Sequence, residues 1–226
     1  MAGYRDKFQQ GDVFARQIDL FDPLKYREEV HIIGVGATGS FDAMCLAKLG
    51  FSEIHIWDYD IVEVKNQAGQ LYGLSDVEKP KVEACKDIVG RVGDIDLITH
   101  NEKWDGQELR GVVIAGLDSM DGRKAIFSAC RMKMRIKLLL DHRIGGETIQ
   151  ILVVKPMSSD SCALYEETLF EDKDAAPLPC TQRSVIYQNF IVAGLSVNII
   201  RNFLVGNPVP NEIIYSGKSM EFSGIK

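Results

Sequence analysis

Apolar and polar positions change period several times along the chain, and each change marks a different kind of element. VHIIGVG from Val30 is a β-branched run closing on glycine, FDAMCLAKLG from Phe41 to Gly50 carries apolar residues at helical spacing, and EIHIWDYD from Glu53 returns to a short buried strand ending in acids. Gly50 stands where a glycine closes a helix. KPKVEACKDIVGRV then reads as a helix with proline near its first turn, IDLITH and GVVIAGLD as strands, DGRKAIFSACRMK as a helix and KLLLDH as a strand. This alternation predicts an α/β, Rossmann-like fold, a mostly parallel sheet with helices on both faces.

The pattern breaks after Arg143. GETIQILVVKP alternates over its whole length with no helix before it, which predicts an added antiparallel strand near the C-terminus, and NEIIYSGKSMEFSG reads as a hairpin. Met157 to Pro179, rich in Ser, Asp and Pro, is expected to be a long loop, and SVIYQNFIVAGLSVNIIRNFL an apolar helix. VEVKNQAGQLYGLSDVEKP has no sustained period and is expected to be a loop with short helical turns, the kind of segment that carries function. Phe14 to Phe21 looks like a short amphipathic helix. Residues 1–28 are then an N-terminal helical arm ahead of a single α/β domain over 29–226.

Composition narrows the classes. At 226 residues, 46% apolar and 26% charged, the chain has the length of one ample domain and enough apolar surface for a core, which excludes disordered and fibrous classes. The net charge of −6 leaves no basic footprint for nucleic acid, so an anionic ligand needs local positive charge. Five widely spaced cysteines without a CxxC pair imply neither a disulfide framework nor zinc. No signal peptide is evident, and the longest apolar stretch, FIVAGLSVNII, is too short to span a membrane, so a cytoplasmic protein is expected.

Candidate chemistry concentrates at two strand ends. Gly34, Gly36 and Gly39 form GxGxxG between a buried strand and a helix, the context in which phosphate reaches N–H groups at a helix N-terminus. Asp58, at the end of the next strand, is placed to accept hydrogen bonds from both ribose hydroxyls. A dehydrogenase needs one acid there. Here Asp58 and Asp60 are followed by the amide-rich NQAGQ, which suits nucleoside triphosphate chemistry better.

FARQIDLF, GVGATGS, IWDYDIVEVKNQAGQ, KPKVEACKDI and GLDSMDGRKAI together resemble the ThiF/MoeB and ubiquitin-activating superfamily. That resemblance implies ATP- and Mg²⁺-dependent adenylation of the C-terminal glycine of a ubiquitin-like or sulfur-carrier protein ending in Gly-Gly. It further implies that Gly34, Gly36 and Gly39 form the nucleotide loop, Asp58 holds the ribose, Asp60, Asn66 and Gln70 line the adenylate pocket, and Lys81 reaches the triphosphate. Asp118 corresponds to the magnesium-holding acid, and Arg16 to the arginine that reaches across a homodimer. Cys180 in PLPCTQRS occupies the place of a thioester- or persulfide-forming nucleophile. The family loop usually reads NxxRQ, whereas Gly69 stands at the arginine here. The paired CxxC motifs of many members are missing, so zinc is not expected.

Other residues read blandly. Cys45, Cys85 and Cys130 fall at apolar helix positions, His31 and His55 lie within strands with no metal triad assembled, and Arg123 with Lys124 reads as a solvated pair. Arg143, with Gly145 and Gly146, could line an acyl-tail channel or simply precede a turn. Ser119 and Ser184 have no His and Asp arrangement around them. Two rival readings stand beside adenylation: a catalytically weakened scaffold or regulatory partner, favoured by Gly69, and an NAD-dependent oxidoreductase resting on GxGxxG and Asp58.

Overall fold

The computed structural model describes residues 13–93, 95–171, 173 and 185–225. The elements in chain order are β1 (Val30–Ile33), α1 (Gly39–Leu49), β2 (Ile54–Trp57), α2 (Lys81–Gly93), β3 (Ile98–His100), β4 (Gly111–Ala115), α3 (Met120–Cys130), β5 (Ile136–Gly145), β6 (Thr148–Val154), α4 (Ser159–Glu166), α5 (Ile186–Leu204), β7 (Glu212–Ser216) and β8 (Glu221–Ile225). One sheet of eight strands runs in the order β3-β2-β1-β4-β5-β6-β7-β8. The first five strands in that order are parallel, and from β5 onward each neighbour is antiparallel. The expected α/β Rossmann-like sheet with added antiparallel strands is therefore present.

Near-continuous apolar strands are needed because both faces of the parallel part are covered. Ile32, Ile54, Ile56, Val112, Ile114, Leu138 and Leu140 point into one layer with residues of α1, α2 and α5. Their strand neighbours Ile33, Val113, Ala115 and Leu139 point into the other, against Phe127 and Cys130 of α3 and Cys162 and Tyr165 of α4. Each such side chain, fully buried, contributes about 1.5–3 kcal/mol. Cys85 and Cys130 are wholly buried packing residues, and desolvation pushes both thiols up to about 12. Cys45 is half-buried, its thiol pushed up to about 11 by burial and by the nearby Asp42 carboxylate.

Chain order sets the site's position. From β1 the chain moves outward to β2 and β3, then returns to pair β4 on the other side of β1. The crevice beyond the carboxyl ends of β1 and β4 is the switch point where open α/β sheets bind ligands.

Two sequence expectations need correction. Met157 to Pro179 is not a continuous loop, because α4 lies inside it: the Ser158 hydroxyl accepts the Ser161 N–H, Asp160 sits in the first turn, and Cys162 and Tyr165, one turn apart, are buried. Phe14 to Phe21 forms successive turns rather than a regular helix, held by Gln17 N–H to Phe14 O and Phe21 N–H to Gln17 O. So short a segment cannot sustain a helix alone. Tertiary bonds fix it instead, from the Gln17 side chain to Leu49 O (2.7 Å) and from Arg201 to Leu20 O (2.5 Å). Among the described residues, no helix is long and apolar enough to cross a membrane.

Candidate functional site

Three backbone segments meet at the switch point with almost no room between them. Gly34 has φ +91°, and a Cβ there would lie 2.6 Å from Gly116 O, at the end of β4. A Cβ on Gly39 would fall far inside the Gly34 carbonyl oxygen and 2.9 Å from Ile32 Cγ2. Gly36 is different. A methyl group there would meet only Gln70 Nε2, at 3.9 Å, so its glycine answers to open space above the loop rather than to packing. Two of the glycines thus build the turn and the third faces outward.

The loop is braced from three sides. Asp58, following β2, is nearly buried and accepts the Val35 N–H through Oδ2 and the Asp60 N–H through Oδ1, both at 2.9 Å. Burial pushes its carboxyl up, opposed by the Lys81 ammonium and by the two N–H bonds. Buried Tyr72 donates its hydroxyl to Val35 O (2.5 Å), and Ser40 Oγ donates to Gly36 O (2.7 Å) while accepting the Leu71 N–H (3.3 Å). Tyr72 and the Ser40–Leu71 bond escaped the sequence reading because each joins groups more than thirty residues apart in the chain.

Lys81 opens α2 with its side chain 9% exposed, yet its ammonium reaches Asp60 Oδ2 at 2.7 Å, and Asp60 is half exposed. Its backbone N–H also bonds Asp60 O (2.9 Å). A cation held at the rim of a crevice by an exposed carboxylate can be drawn to a more highly charged anion. Gln70 Oε1 is buried with no partner among the described residues. An orphaned acceptor of this kind is open to a donor from water or a ligand.

Asn66 sits on a 3₁₀ turn, Val64–Asn66, where its Oδ1 accepts the Glu63 N–H (2.8 Å), so its carbonyl is spent locally. Asp118 is exposed just past β4, two residues after Gly116, whose N–H bonds Ile33 O (2.9 Å). It leaves the sheet at the same edge as the glycine loop. Arg16 is exposed in the N-terminal turns. Cys180 lies outside the described residues. Gly36 with the open space above it, Gln70 Oε1, Asp58 and Lys81 fit a nucleotide, and the oxygen of Asp118 fits magnesium.

Arg123 is neither solvated nor turned toward the loop. It is buried, with hydrogen bonds to Asp141 and to the carbonyls of Leu117 and His142 (2.9 Å for the last). Lys124 pairs with Glu171 at 2.5 Å. Arg143 joins the same buried acid, at 2.9 Å from Asp141 Oδ2, and donates to Thr168 O; beyond it Gly145 closes β5 and Gly146 opens the two-residue turn to β6. Tyr165 completes the set with a hydrogen bond to Asp141 Oδ2 (3.0 Å).

A Ser-His-Asp arrangement invisible in the sequence also forms: Ser196 Oγ lies 2.8 Å from His142 Nε2, and Asp42 Oδ2 is 3.3 Å from His142 Nδ1. The His142 and Asp42 side chains are fully buried, Asp42 makes no hydrogen bond to the ring, and no substrate can reach them. The trio joins α1, β5 and α5 and is not a hydrolase site. Ser119 serves as the N-cap of α3, accepting the Gly122 N–H. Glu29, His31 and His55 are gathered as well, contrary to the expectation that no metal triad assembles.

The sequence profile of the ThiF family matches residues 21–226. Among curated proteins the chain is 28% identical over 221 residues to ubiquitin-like modifier-activating enzyme 5 of Caenorhabditis elegans, covering 84% of this chain and 51% of that one. It is 32% identical over 114 residues to the NEDD8-activating enzyme E1 catalytic subunit of Arabidopsis thaliana, covering 47% and 25%. The chain therefore spans between a quarter and half the length of these curated relatives. Among solved structures, PaaA superposes with a TM-score of 0.75 at 19% identity, covering 97% of this chain and 76% of that one. Escherichia coli MccB with ATP superposes at 0.74 and 13% identity, covering 95% and 71%. At such identities the superpositions speak for the fold, and the profile match over nearly the whole chain carries the assignment: the chain belongs to the ThiF family.

Proposed function

We propose that the protein uses ATP to adenylate the C-terminal glycine of a small ubiquitin-like or sulfur-carrier protein ending in Gly-Gly. The reading rests on one observation above all: open space above Gly36 lies beside an orphaned Gln70 acceptor, with Lys81 and Asp58 at the same sheet edge. The names of the relatives, activating enzymes for ubiquitin-like modifiers, and the solved complexes of MccB with ATP and with MccA, support it.

In this reading Asp58 turns its remaining lone pairs to the ribose hydroxyls, and Gly36 lets the phosphates approach the loop backbone. Lys81 leaves Asp60 for the phosphates, and Asp60, Asn66 and Gln70 line the pocket. Asp118 holds magnesium, which when bound supplies positive charge against the triphosphate. The carrier carboxylate attacks the α-phosphorus and pyrophosphate departs. Arg16 serves the second subunit of a homodimer, and the Cys180 thiolate attacks the glycyl carbonyl of the acyl adenylate, forming a thioester as the acyl–phosphate bond breaks and AMP leaves. The site of action is the cytoplasm.

The test is carrier-dependent exchange of labelled pyrophosphate into ATP, in the presence of Mg²⁺ and candidate carriers ending in Gly-Gly. Exchange is expected. Its absence with every carrier, in a protein that binds ATP, refutes adenylation and leaves the scaffold reading. One observation favours that second reading: Gly69 offers no guanidinium, its carbonyl is tied to Asn189 Nδ2 (2.7 Å), and Arg123 and Arg143 are both committed to Asp141. Thermal stabilisation by ATP with Mg²⁺ rather than NAD separates both from an oxidoreductase.

A further inference from the structure

Three of the four histidines converge on the sheet face opposite α1 and α2. The parallel register sets His31 directly beside His55, and Trp57 beside His100. The rings form a continuous stack: His31 to His55 at 4.5 Å, His55 to His100 at 5.4 Å and Trp57 to His100 at 3.6 Å between centroids. Glu29, two residues before His31 and so on the same face, brings Oε1 to 2.6 Å from His31 Nε2 and 3.6 Å from His55 Nε2. His31 and His55 are the second residues of four-residue strands whose other ends carry the glycine loop and Asp58.

We propose that Glu29, His31 and His55 form a binding site for a divalent transition-metal ion of the zinc type, through Glu29 Oε1 and the two Nε2 atoms. The three ligand atoms already lie within 4.8 Å of one another. Bonds of 2.0–2.1 Å in a tetrahedron separate ligands by roughly 3.3 Å, and the Glu29 gaps of 2.6 and 3.6 Å bracket that value. Two imidazoles and one carboxylate are a donor set for borderline ions, with a coordination position left for water. The side chains of Glu29 and His55 are about one-fifth exposed and that of His31 is buried, so the ion has an entry path on one side and walls on the other.

The surroundings orient the ligands. His55 Nδ1 lies 3.1 Å from His100 Nε2, and in the tautomer that donates to His100, His55 Nε2 turns a lone pair toward Glu29. The Trp57 indole, a donor only, points at His31 Nδ1 (3.3 Å), which places the ring proton on Nε2 in the metal-free protein. Binding at Nε2 requires that proton on Nδ1, so the hydrogen bond from the indole to Nδ1 is lost. Trp57 thereby reports on loading. Through β2 the site also touches the nucleotide edge, since Asp58 follows Trp57 and its N–H bonds His100 O (3.2 Å).

The experiment uses the chain stripped by chelator and titrated with Co²⁺ alone, then Zn²⁺ in competition, read by visible absorption and tryptophan fluorescence. Saturation at one equivalent is expected, with the strong visible bands of low-symmetry cobalt, no thiolate charge-transfer band, a fluorescence change, and displacement by Zn²⁺. Glu29→Gln and His55→Asn, both at partly exposed positions, are expected to keep their far-ultraviolet circular dichroism and to weaken binding by about 100-fold. No saturable visible band overturns the proposal, as does a thiolate band or wild-type affinity in both folded variants.

Discussion

Alanine at Gly36 and alanine at Gly39, made separately, are expected to divide the loop's two jobs between two variants. At Gly39 the added methyl drives into the Gly34 carbonyl and stands 2.9 Å from Ile32 Cγ2, and neither neighbour is a flexible chain end. Overpacking of this kind costs about 3 kcal/mol, more than the roughly 1 kcal/mol that alanine gains over glycine in a helix. A net loss of about 2 kcal/mol lowers the melting temperature of a chain this size by roughly 4–8 °C. At Gly36 nothing lies nearer than 3.9 Å and the backbone is not left-handed, so the apo protein is expected to gain up to about 1 kcal/mol. Its nucleotide binding should nonetheless suffer, because the methyl occupies the approach to the loop. ATP at 100 times its Kd stabilises by about 2.7 kcal/mol, and a tenfold loss of affinity reduces this to about 1.4 kcal/mol at the same concentration. Chemical denaturation measures the first effect, and thermal shift with ATP and Mg²⁺ the second. A Gly36→Ala protein with the full wild-type shift, or a Gly39→Ala protein that melts with the wild type, refutes this division.

Further outcomes follow from the same geometry. Lys81→Met is expected to leave the fold intact and lower pyrophosphate exchange by roughly 10²-fold or more, as loss of a charge aimed at the reacting phosphates does; retained exchange removes Lys81 from the chemistry. Arg123→Ala leaves the buried Asp141 with Arg143 and Tyr165 but takes a donor from two carbonyls, and is expected to cost about 2–3 kcal/mol by urea unfolding, with Arg123→Lys an incomplete rescue. Asp76, held below the usual carboxylate range by its hydrogen bond to Lys79, gives stability that is present above pH ~4 and lost as pH falls through its lowered folded value. An Asp76→Asn protein should therefore show a shallower acid loss of stability in urea titrations across that window, and equal slopes count against the role.

What the sequence displayed, and what it concealed, follow from the range of the interactions. The β1–glycine loop–α1 unit was readable because a buried strand, a turn and a helix of one short segment enforce one another locally. The Thr148–Val154 strand was readable for the same reason, its alternation matching a sheet. α4 was not, since its Ser- and Asp-rich opening has loop composition and only the Ser158 cap with Cys162 and Tyr165 one turn apart reveals a helix. The fate of Arg123 depended on Asp141, eighteen residues away on a strand whose burial no local pattern reports. The histidine cluster is created by strand register, which sets His31 beside His55 across twenty-four positions. The site residues of the loop, Asp58 and Lys81 were legible as types, but the difference between Gly36 and its two companions appears only when neighbouring backbone is placed around them.

The mutual contact of Gly34, Gly39 and Gly116 has a kinetic meaning. Backbone locked against backbone in three segments has no second arrangement to visit, so the loop backbone is already in its bound shape before a ligand arrives and only side chains such as Lys81 move. Association with nucleotide should then be a single encounter, its observed rate climbing in proportion to ATP without levelling off, and any slow rearrangement in the cycle belongs to the parts of the chain that approach this rim, not to the rim itself.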